Sequence, residues 1–519
     1  MRLRLLGLLL ATAFPSTATA APVLVLDADA KAVVRRDPFL SAQPITPAPT
    51  LATSAPAPVG SPRANSATAH INPAGANSAT AHSSPPRATT AIAPKARKPP
   101  PRKPQRTAAT ELSRLYRGGA ILSTAYRSYT AGLSAAAAAV RHLKGIRAAQ
   151  LRSVLKTLDS IAASGQLTPS RLPVLFLTLA RNLQWWAKGP LLSDGQRVEF
   201  AGSQLVWQYY PGQGIQLQVL GNFAKADSLF AAGAADHPQL QALMTELLPL
   251  AASRAGGLAW EYYFSFDGGK PPWTSAMSQA TALEALTRSY EASGNRTYLQ
   301  IAHQALPIFA VAPPLGVAVK TPGGTRYVQY SFAPSTDIIN AFLQSLIGLY
   351  DYAQASGDPE AEALFAAGNA QAQLELAQFD TGAWSLYQPG SEDTLSYHEL
   401  VTGFLQQLCQ RTQAPVYCNT AAHFSSYLSQ PPVLALLTMH VRVRRHAKIY
   451  FRLSKYSRVG IVVANASKTV LLTSAYFPYG VNSFSLPALT ARGNYAVRLA
   501  ATDLAGNFAR IQGTLTVTR

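Results

Sequence analysis

The chain has few acidic residues and almost no cysteine. It contains 25 aspartates and glutamates against 45 lysines and arginines, and two cysteines in 519 residues. After the first 20 positions no run of roughly 18 apolar residues appears, which argues against a membrane-spanning helix. The sequence also lacks the HExxH, GxSxG, Walker and dinucleotide-binding GxGxxG motifs. These absences argue against the commonest zinc proteases, serine hydrolases and nucleotide-binding enzymes, and we expect no metal and no cofactor.

The two cysteines, Cys409 and Cys418, bracket a short loop after a predicted helix. In an exported protein they are expected to form a local disulfide, worth roughly 2–3 kcal/mol on the chain-entropy model. No pair of histidines lies beside them, so a metal site is not favoured there.

The formal charge of +20 belongs to the two ends of the chain. Residues 21–110 contain 11 basic and 3 acidic residues, and residues 431–519 contain 12 basic residues and one acid. The region between them is nearly neutral. Electrostatic attraction of an anionic partner would therefore come from the two basic ends of the chain. Nucleic acid is not expected as a partner, because the sequence contains no recognisable nucleic-acid-binding motif.

Residues 1–20 have the features of a secretory signal peptide. Arg2 and Arg4 precede the short apolar run Leu5–Ala11, and small residues at 18–20 form a cleavage site. We therefore expect a secreted or cell-envelope protein; an uncleaved anchor is the alternative.

Residues 21–110 are rich in Pro, Ala, Ser and Thr, contain a duplicated ANSATAH and end in a basic, proline-spaced run. Such a composition cannot bury enough apolar surface to offset its ordering entropy, which predicts a disordered linker. The basic run could attach to an acidic polymer or an envelope surface, but a solvated spacer is the favoured interpretation.

The central body, residues 111–430, shows helical periodicity almost throughout. Many helix pairs joined by aromatic loops predict an α/α toroid, or incomplete α/α barrel, within a multidomain, mainly α protein. The clearest helix is predicted at Ser335–Ala355, with Ser335 as its N-cap and Asp337 in its first turn. Residues 431–519 instead alternate apolar and polar residues between turn signals, which predicts a small antiparallel all-β sandwich of immunoglobulin or fibronectin-III type. The arginines and lysines that alternate along its first strands are expected to form a solvated basic face. Attachment to carbohydrate or to the envelope is the alternative.

Aromatic residues cluster next to the predicted helix ends. Aromatic clefts suit sugar rings, because the C–H faces of a pyranose pack on them, although ordinary packing is the commoner role of such residues. A lone histidine such as His398 is also more often structural. The clusters are Gln208–Pro211, Tyr262–Phe266, Trp273, Tyr330, Tyr387 and Tyr397–His398.

Four ordered segments carry a family resemblance: PPWTSAMSQATALEALTRSY (271–290), YVQYSFAPSTDIINAFLQSLIGLYDY (327–352), FDTGAWSLY (379–387) and YHELVTGFLQQL (397–408), with WQYYPGQGIQLQ (207–218) upstream. Together they resemble the C-terminal domain of the D-glucuronyl C5-epimerases, which convert glucuronate to iduronate within heparan-type chains. The resemblance covers roughly residues 200–412.

The resemblance implies roles for individual residues. Tyr330 and Tyr397 fall at essential catalytic tyrosines, and Tyr387 falls at a third tyrosine of the site. Asn340, Asp380 and Gly382 match family positions that shape the cleft, and the further residues expected to bind substrate are Tyr210, Trp273, Arg326, Gln329 and His398. Two departures stand out: Gln329 replaces a family glutamate, and Gly390 replaces the arginine that holds the substrate carboxylate. Arg326, four residues before Tyr330, is one candidate to substitute for that arginine; an exposed loop arginine with no such role is the alternative. The family's N-terminal β-rich part, which supplies a further tyrosine, is not recognisable.

Epimerisation at C5 removes a proton next to a carboxylate, so it needs a base, an opposing acid and stabilisation of an enediolate. Three functions therefore compete. The first is a uronate C5-epimerase, an isomerase acting by tyrosine-mediated proton transfer on a carbohydrate polymer. The second is a lyase that follows the same proton abstraction with loss of the C4 substituent. The third is a non-catalytic sugar-binding protein on the same scaffold.

Overall fold

The computed structural model describes residues 21–27, 31–40 and 106–519. The predicted signal peptide and most of the predicted linker lie outside these residues. Among the described helices, none combines the length and the apolar character needed to cross a bilayer. The α-helices are α1 (Ala108–Arg117), α2 (Ser123–His142), α3 (Gly145–Ala163), α4 (Leu172–Lys188), α5 (Val219–Ala232), α6 (His237–Leu247), α7 (Ala276–Ser293), α8 (Thr297–Ala305), α9 (Ile339–Ser356), α10 (Pro359–Glu375), α11 (Leu395–Thr412) and α12 (Pro415–Tyr427).

The strands form several separate sheets. Those that precede residue 430 are β1 (Ala21–Leu26), β2 (Ala32–Asp37), β3 (Arg197–Phe200), β4 (Trp207–Tyr210), β5 (Gly214–Leu217), β6 (Ala252–Arg254), β7 (Gly257–Ala259), β8 (Ala318–Thr321), β9 (Gly324–Tyr327), β10 (Leu386–Gln388) and β11 (Ser391–Glu392). Those that follow are β12 (Leu434–Leu436), β13 (His440–Arg442), β14 (Ala447–Leu453), β15 (Ser457–Ala464), β16 (Thr469–Phe477), β17 (Gly480–Leu486), β18 (Gly493–Asp503) and β19 (Phe508–Thr518).

The first strands correct the prediction of a disordered linker that begins at residue 21. β1 pairs antiparallel with β2 and parallel with β3, in a sheet of order β2-β1-β3-β4-β5. A buried ion cluster holds the sheet to α5, because Lys225 Nζ lies 2.9 Å from Asp37 and 3.1 Å from Glu199. The composition of the region conceals this strand, because β1 gains its burial from β3, far along the chain.

From α5 onward, the helical body is built in two rows. The helices α5, α7, α9 and α11 pack against one another in succession, and α6, α8, α10 and α12 pack respectively on them. The inner helices α7 and α9 are buried on almost every side. They approach so closely that a Cβ at Gly348 would lie 2.1 Å from the carbonyl oxygen of Ala280. The prediction of a mainly helical body is thus confirmed, whereas closure of the rows into a toroid stays a prediction.

The helix α9 begins later than the sequence predicts. Its N-cap is Ile338 rather than Ser335. Asp337 lies outside the helix and accepts a hydrogen bond from Arg326 instead of interacting with the helix dipole. A tertiary ion pair therefore replaces the predicted first turn. At the other end of the body, the predicted disulfide Cys409–Cys418 joins α11 to α12, with its Cα atoms 4.8 Å apart.

Residues 434–518 form two sheets, β12-β14-β17 and β13-β19-β18-β15-β16, which enclose their own apolar core. The strands alternate buried and exposed residues, so the C-terminal β-rich region is confirmed. The pairing of β13 with β19 is parallel, so the sheets are not wholly antiparallel as predicted. Assignment to an immunoglobulin or fibronectin-III type stays a prediction. We call this region the sandwich.

Candidate active site

A cavity of about 320 Å³ lies between the sheet β2-β1-β3-β4-β5, here called the N-terminal sheet, and the inner helices. Its volume falls within the range of small-molecule sites. The side chains that line it include three tyrosines, five amides and four charged residues: Tyr330, Tyr387, Tyr397, Gln218, Gln329, Asn340, Gln344, Gln407, Arg197, Asp227, Glu284 and Arg288. Segments distant in sequence therefore meet at one site.

Each of the three tyrosines reaches the cavity from a different element. Tyr330 follows β9 in an extended segment, which Ser331 fixes by donating its backbone N–H to the carbonyl of Thr274 at 2.9 Å. Tyr387 lies on β10, and Tyr397 lies in the first turn of α11. The Tyr387 and Tyr397 rings meet edge to face, with centroids 5.2 Å apart. The residues predicted to be catalytic are thus brought together.

The hydrogen bonds of Tyr330 distinguish it from Tyr387. Burial raises the pKa of the Tyr330 phenol and nearby Tyr397 raises it further, whereas hydrogen bonds from Tyr387 and Gln329 oppose the rise without reversing it. The pKa of Tyr387 is raised by burial, by its two tyrosine neighbours and by the same bond to Tyr330. The bond between the two phenols therefore favours ionisation of Tyr330 over ionisation of Tyr387. Gln329, a departure from the family glutamate, is a second, neutral donor to Tyr330.

Three amide oxygens that line the cavity have no hydrogen-bond partner. They are Oε1 of Gln218, Oε1 of Gln329 and Oδ1 of Asn340, all buried. An unsatisfied buried polar group is unusual in a native structure and calls for a functional explanation. Because an oxygen acceptor needs a donor, these groups fit a ligand rich in hydroxyls.

Trp273 and Tyr210 are not among the residues that line the cavity, but each contacts one that is. The Trp273 ring stacks on Tyr262 with centroids 4.2 Å apart and meets the Tyr330 ring at 5.8 Å. The Tyr210 hydroxyl accepts a hydrogen bond of 2.9 Å from Gln218 Nε2. The structure thus shows them supporting Tyr330 and Gln218, and their own contacts with substrate stay a prediction.

Arg326 is wrongly predicted as the carboxylate ligand, because its own partners hold it elsewhere. Its Nη2 lies 2.5 Å from Glu375 Oε2, and its Nη1 donates to Asp337. It is not among the residues that line the cavity. Two carboxylates already neutralise its charge, which leaves no net attraction for a third.

His398 is also wrongly predicted to bind substrate. Its ring is fully buried, stacks on Trp384 with centroids 3.8 Å apart, and bonds Ser385 and the Phe424 carbonyl. Burial lowers its pKa to about 4, so it is neutral at physiological pH. Its role is to hold α11 against the segment that leads to Tyr387.

Asp380, Gly382 and Gly390 are also not among the residues that line the cavity. Asp380 accepts hydrogen bonds from the Tyr427 hydroxyl at 3.0 Å and the Gly382 N–H at 2.8 Å. Gly390 lies in the turn between β10 and β11 with φ of 82°. That left-handed conformation is strained for a residue with a Cβ. This turn therefore disfavours an arginine.

Sequence reasoning missed four charged residues in the lining: Arg197, Asp227, Glu284 and Arg288. Arg288 donates to Glu284 one turn earlier on α7 and lies 3.0 Å from Asp227 on α5. Burial raises the pKa of Asp227, and Arg288 opposes that shift. The spacing of Glu284 and Arg288 is a visible i,i+4 pair, but only the packing of α5 on α7 brings Asp227 to it.

The hairpin that carries Tyr387 is attached to the sandwich. The Glu392 carboxylate on β11 accepts the backbone N–H groups of Tyr456 at 2.7 Å and Tyr479 at 2.8 Å. Nearby, Lys455 Nζ pairs with Asp503 at 2.8 Å and bonds the Tyr427 carbonyl at the end of α12. The sandwich therefore helps to fix the position of one active-site tyrosine.

Residues 256–426 match the D-glucuronyl C5-epimerase C-terminus family, which confirms the resemblance predicted from the sequence. The D-glucuronyl C5-epimerase of Caenorhabditis elegans is 32% identical over 130 residues, covering 22% of this chain and 21% of that protein. An uncharacterized protein of Methanocaldococcus jannaschii is 26% identical over 137 residues, covering 25% of this chain and 44% of that protein. The chain thus spans less than half the length of either curated relative.

Among solved structures, a cellobiose 2-epimerase from Bacillus thermoamylovorans is 13% identical, with a TM-score of 0.33 over 41% of this chain and 61% of that one. A D-mannose isomerase is 10% identical, with a TM-score of 0.31 over 54% and 74% of the two chains. At such scores the superpositions carry no argument about this protein.

Proposed function

We propose that this protein is a carbohydrate epimerase that inverts C5 of glucuronate units in an acidic glycan by proton transfer between tyrosines. The observation that carries the proposal is the meeting of Tyr330, Tyr387 and Tyr397 at one cavity. The family match, which includes all three positions, supports the reaction type. The unsatisfied amide oxygens support a polyhydroxylated substrate.

In the proposed mechanism, Tyr330 acts as the base. Its phenolate removes the proton from C5, and the electron pair of the broken C–H bond moves into the adjacent carboxylate to give an enediolate. Tyr397 then donates its phenolic proton to the opposite face of C5, which restores the carboxylate with inverted configuration. Tyr387 and Gln329 assist by donating hydrogen bonds to the Tyr330 oxygen. A phenol has a free pKa of about 10, and burial raises that of Tyr330 further, so these donors reduce the cost of forming the phenolate that a base requires.

The proposal can be tested by hydrogen exchange at C5. The full-length chain is incubated in D₂O with a polymer of alternating glucuronate and N-acetylglucosamine, and deuterium at C5 is measured by NMR after depolymerisation. Wild type is expected to incorporate deuterium without chain cleavage. Tyr330→Phe and Tyr397→Phe are each expected to lower the rate at least about a hundredfold, since general acid–base groups contribute about 10²–10⁴.

A matched control is Tyr327→Phe, three residues earlier on the same segment. Tyr327 is equally buried, donates to the Leu364 carbonyl at 2.7 Å and does not line the cavity. The substitution removes this hydrogen bond, so it should lower the free energy of unfolding by about 1 kcal/mol and leave the rate of deuterium exchange at C5 unchanged. Release of unsaturated, ultraviolet-absorbing uronate would instead identify a lyase. Binding with neither reaction would identify a sugar-binding protein.

We also propose that the protein acts outside the cytoplasm. The support for this is the charge, apolar run and cleavage site of residues 1–20. Detection of the chain in the medium or envelope fraction, with an N-terminus at Ala21, would agree with export. Retention of residues 1–20 in the cytoplasmic fraction would contradict it.

A further inference from the structure

Three buried polar side chains join the elements that carry Tyr387 and Tyr397. Ser385 immediately precedes β10, Asp393 immediately follows β11, and His398 is the fourth residue of α11. The Ser385 hydroxyl oxygen lies 2.6 Å from Asp393 Oδ2 and 2.7 Å from His398 Nδ1. All three residues are at most 1% exposed. A buried polar network is costly unless each member is satisfied, so the placement of its hydrogens matters.

The order of these three groups differs from that of the Ser-His-Asp triad of hydrolases. In the triad the histidine lies between the other two residues and takes the proton of a serine that substrate can reach. Here Ser385 lies in the middle and is fully buried. The arrangement therefore acts through its neighbours and not as a nucleophile.

Two backbone groups determine which nitrogen of His398 carries a hydrogen. The carbonyl oxygen of Phe424 lies 2.9 Å from Nε2, and a carbonyl can only accept, so Nε2 carries a hydrogen. The backbone N–H of Ser385 points at Nδ1 from 3.3 Å, and an N–H can only donate, so Nδ1 carries none. The imidazole is therefore neutral. Burial acts in the same direction, because it lowers the pKa of His398 to about 4.

The remaining contacts require a proton on Asp393. Because Nδ1 of His398 carries no hydrogen, its contact of 2.7 Å with the Ser385 hydroxyl uses the single hydroxyl hydrogen. The contact of 2.6 Å between that hydroxyl oxygen and Asp393 Oδ2 then needs a hydrogen from the carboxyl group. Asp393 is therefore a neutral acid that donates to Ser385. Burial supports this by raising the pKa of Asp393 to about 7, against the bond to Ser385.

The titratable groups that face this chain of hydrogen bonds are compatible with it. Burial and, to a smaller extent, Lys455 lower the pKa of the imidazole, whereas the bond to the carbonyl and nearby Asp380 raise it. Lys455 is itself paired with Asp503 at 2.8 Å. On the hairpin, Glu392 accepts two backbone N–H groups of the sandwich, and a charge on the next residue would raise the pKa of Tyr387.

We infer that the carboxyl proton of Asp393 holds Tyr387 and Tyr397 in their relative positions, through Ser385 and His398. This inference rests on the proposed function, in which both tyrosines take part. If the proton is lost, the carboxylate and the imidazole compete for one hydroxyl hydrogen, so one of the two contacts loses its bond. Because Ser385 belongs to the hairpin and His398 to α11, the weakened link lies between the two tyrosines. Asp393 is thus a positioning residue.

The proton itself is tested by spectroscopy of the full-length chain, which requires no turnover. The infrared difference spectrum between wild type and Asp393→Asn is recorded at about pH 6, below the pKa of about 7. It should contain the carbonyl band of a neutral carboxylic acid. Nitrogen NMR should show the hydrogen of His398 on Nε2. A carboxylate band from Asp393, or a hydrogen on Nδ1, would overturn the inference.

The effect on the reaction is tested by the pH dependence of exchange at C5 in wild type and Asp393→Asn. The asparagine amide can donate to Ser385 at every pH, so it replaces the neutral acid but cannot lose a proton in this range. The two proteins should exchange at similar rates at about pH 6. At about pH 8 wild type should be about tenfold slower than the variant, since the protonated fraction falls about tenfold for each unit above the pKa.

The matched control is Glu392→Gln, which removes the adjacent buried acid. Burial raises the pKa of Glu392 to about 7 as well, so this variant separates the two acids. It should keep the slowing above pH 7, because Asp393 still titrates. Asp393→Ala provides no donor and should be slow at both pH values, by roughly tenfold to a hundredfold, since a misplacement of about 1 Å can cost a factor of that order.

An equal slowing in Asp393→Asn, or its disappearance in Glu392→Gln, would overturn the inference. If wild type exchanges no deuterium at any pH, the proposed function fails, and the two rings still decide the inference. NMR of the full-length chain with labelled tyrosines should show the contact between Tyr387 and Tyr397 weakening above pH 7 in wild type and persisting in Asp393→Asn. The same contact at every pH in both proteins would contradict the positioning role.

Discussion

The helical body and the sandwich bury residues of different kinds. The sandwich core consists of apolar side chains such as Phe451, Val459 and Leu499. The inner helices of the body instead bury polar residues, among them Glu284, Asn340 and Gln344. Burial of a polar group is costly unless it is hydrogen-bonded, so a concentration of such groups needs a reason beyond folding. In the body the reason is the cavity, to which these three residues contribute.

The buried polar residues of the sandwich occur where it meets the body. Lys455 and Asp503 form an ion pair there, and Lys455 bonds carbonyls at the end of α12. The two regions therefore use buried polarity differently. The body uses it to build a site, and the sandwich uses it to attach to the body.

The largest expected effect that separates the two regions is a loss of stability without a loss of activity. Phe451 is fully buried, and its ring meets Phe477 edge to face at 5.1 Å. Phe451→Ala should lower the free energy of unfolding by about 3–5 kcal/mol, as measured by denaturant titration. Below the unfolding midpoint, exchange at C5 should be unchanged.

The matched change in the body is Tyr387→Phe, which should slow exchange strongly while costing about 1 kcal/mol of stability. If Phe451→Ala slows exchange in the folded protein as strongly as Tyr387→Phe does, the comparison between a structural region and a functional one fails.

The junction of the two regions should give a pH-dependent effect of intermediate size. Burial raises the pKa of Glu392 to about 7, against the hydrogen bonds from Tyr479 and Tyr456. The folded protein therefore keeps this proton up to about pH 7, whereas the unfolded chain releases it near pH 4.5. The protonated Glu392 therefore stabilises the folded state fully below pH 4.5, and this stabilisation is lost as the pH rises through 7.

In Glu392→Gln this titration is absent. The free energy of unfolding of the variant, relative to wild type, should thus rise by roughly 3 kcal/mol between pH 4.5 and 7. Denaturant titrations of both proteins across that range measure the difference. A constant difference would mean that Glu392 does not titrate in this interval.

The smallest effect is expected on the outer surface of the sandwich. Arg498 is exposed on β18, and its Nε donates to Gln512 at 2.9 Å. Arg498→Ala should change the free energy of unfolding by no more than about 0.5 kcal/mol and leave exchange at C5 unaltered. A marked loss of exchange on the polymer would show that this basic face takes part in binding the glycan.

Local pattern was sufficient for much of the fold. The helix α9 and the strand β14 could be recognised from periodicity, because a side chain's burial repeats with the geometry of its own element. The start of α9 could not be recognised, because Asp337 is held by Arg326 and not by the helix. The strand β1 was missed for a similar reason, since its partner β3 lies far along the chain.

Periodicity and motifs were enough to predict the helical body, the alternation of the sandwich strands and the family segments that contain Tyr330, Tyr387 and Tyr397. They did not predict which arginines line the cavity, which are ion-paired outside it, or which aromatic rings reach it, because the environment of a side chain depends on residues contributed by other elements. Arg326 and Arg197 look alike in sequence, but the folded chain gives the first two carboxylates and places the second in the cavity wall.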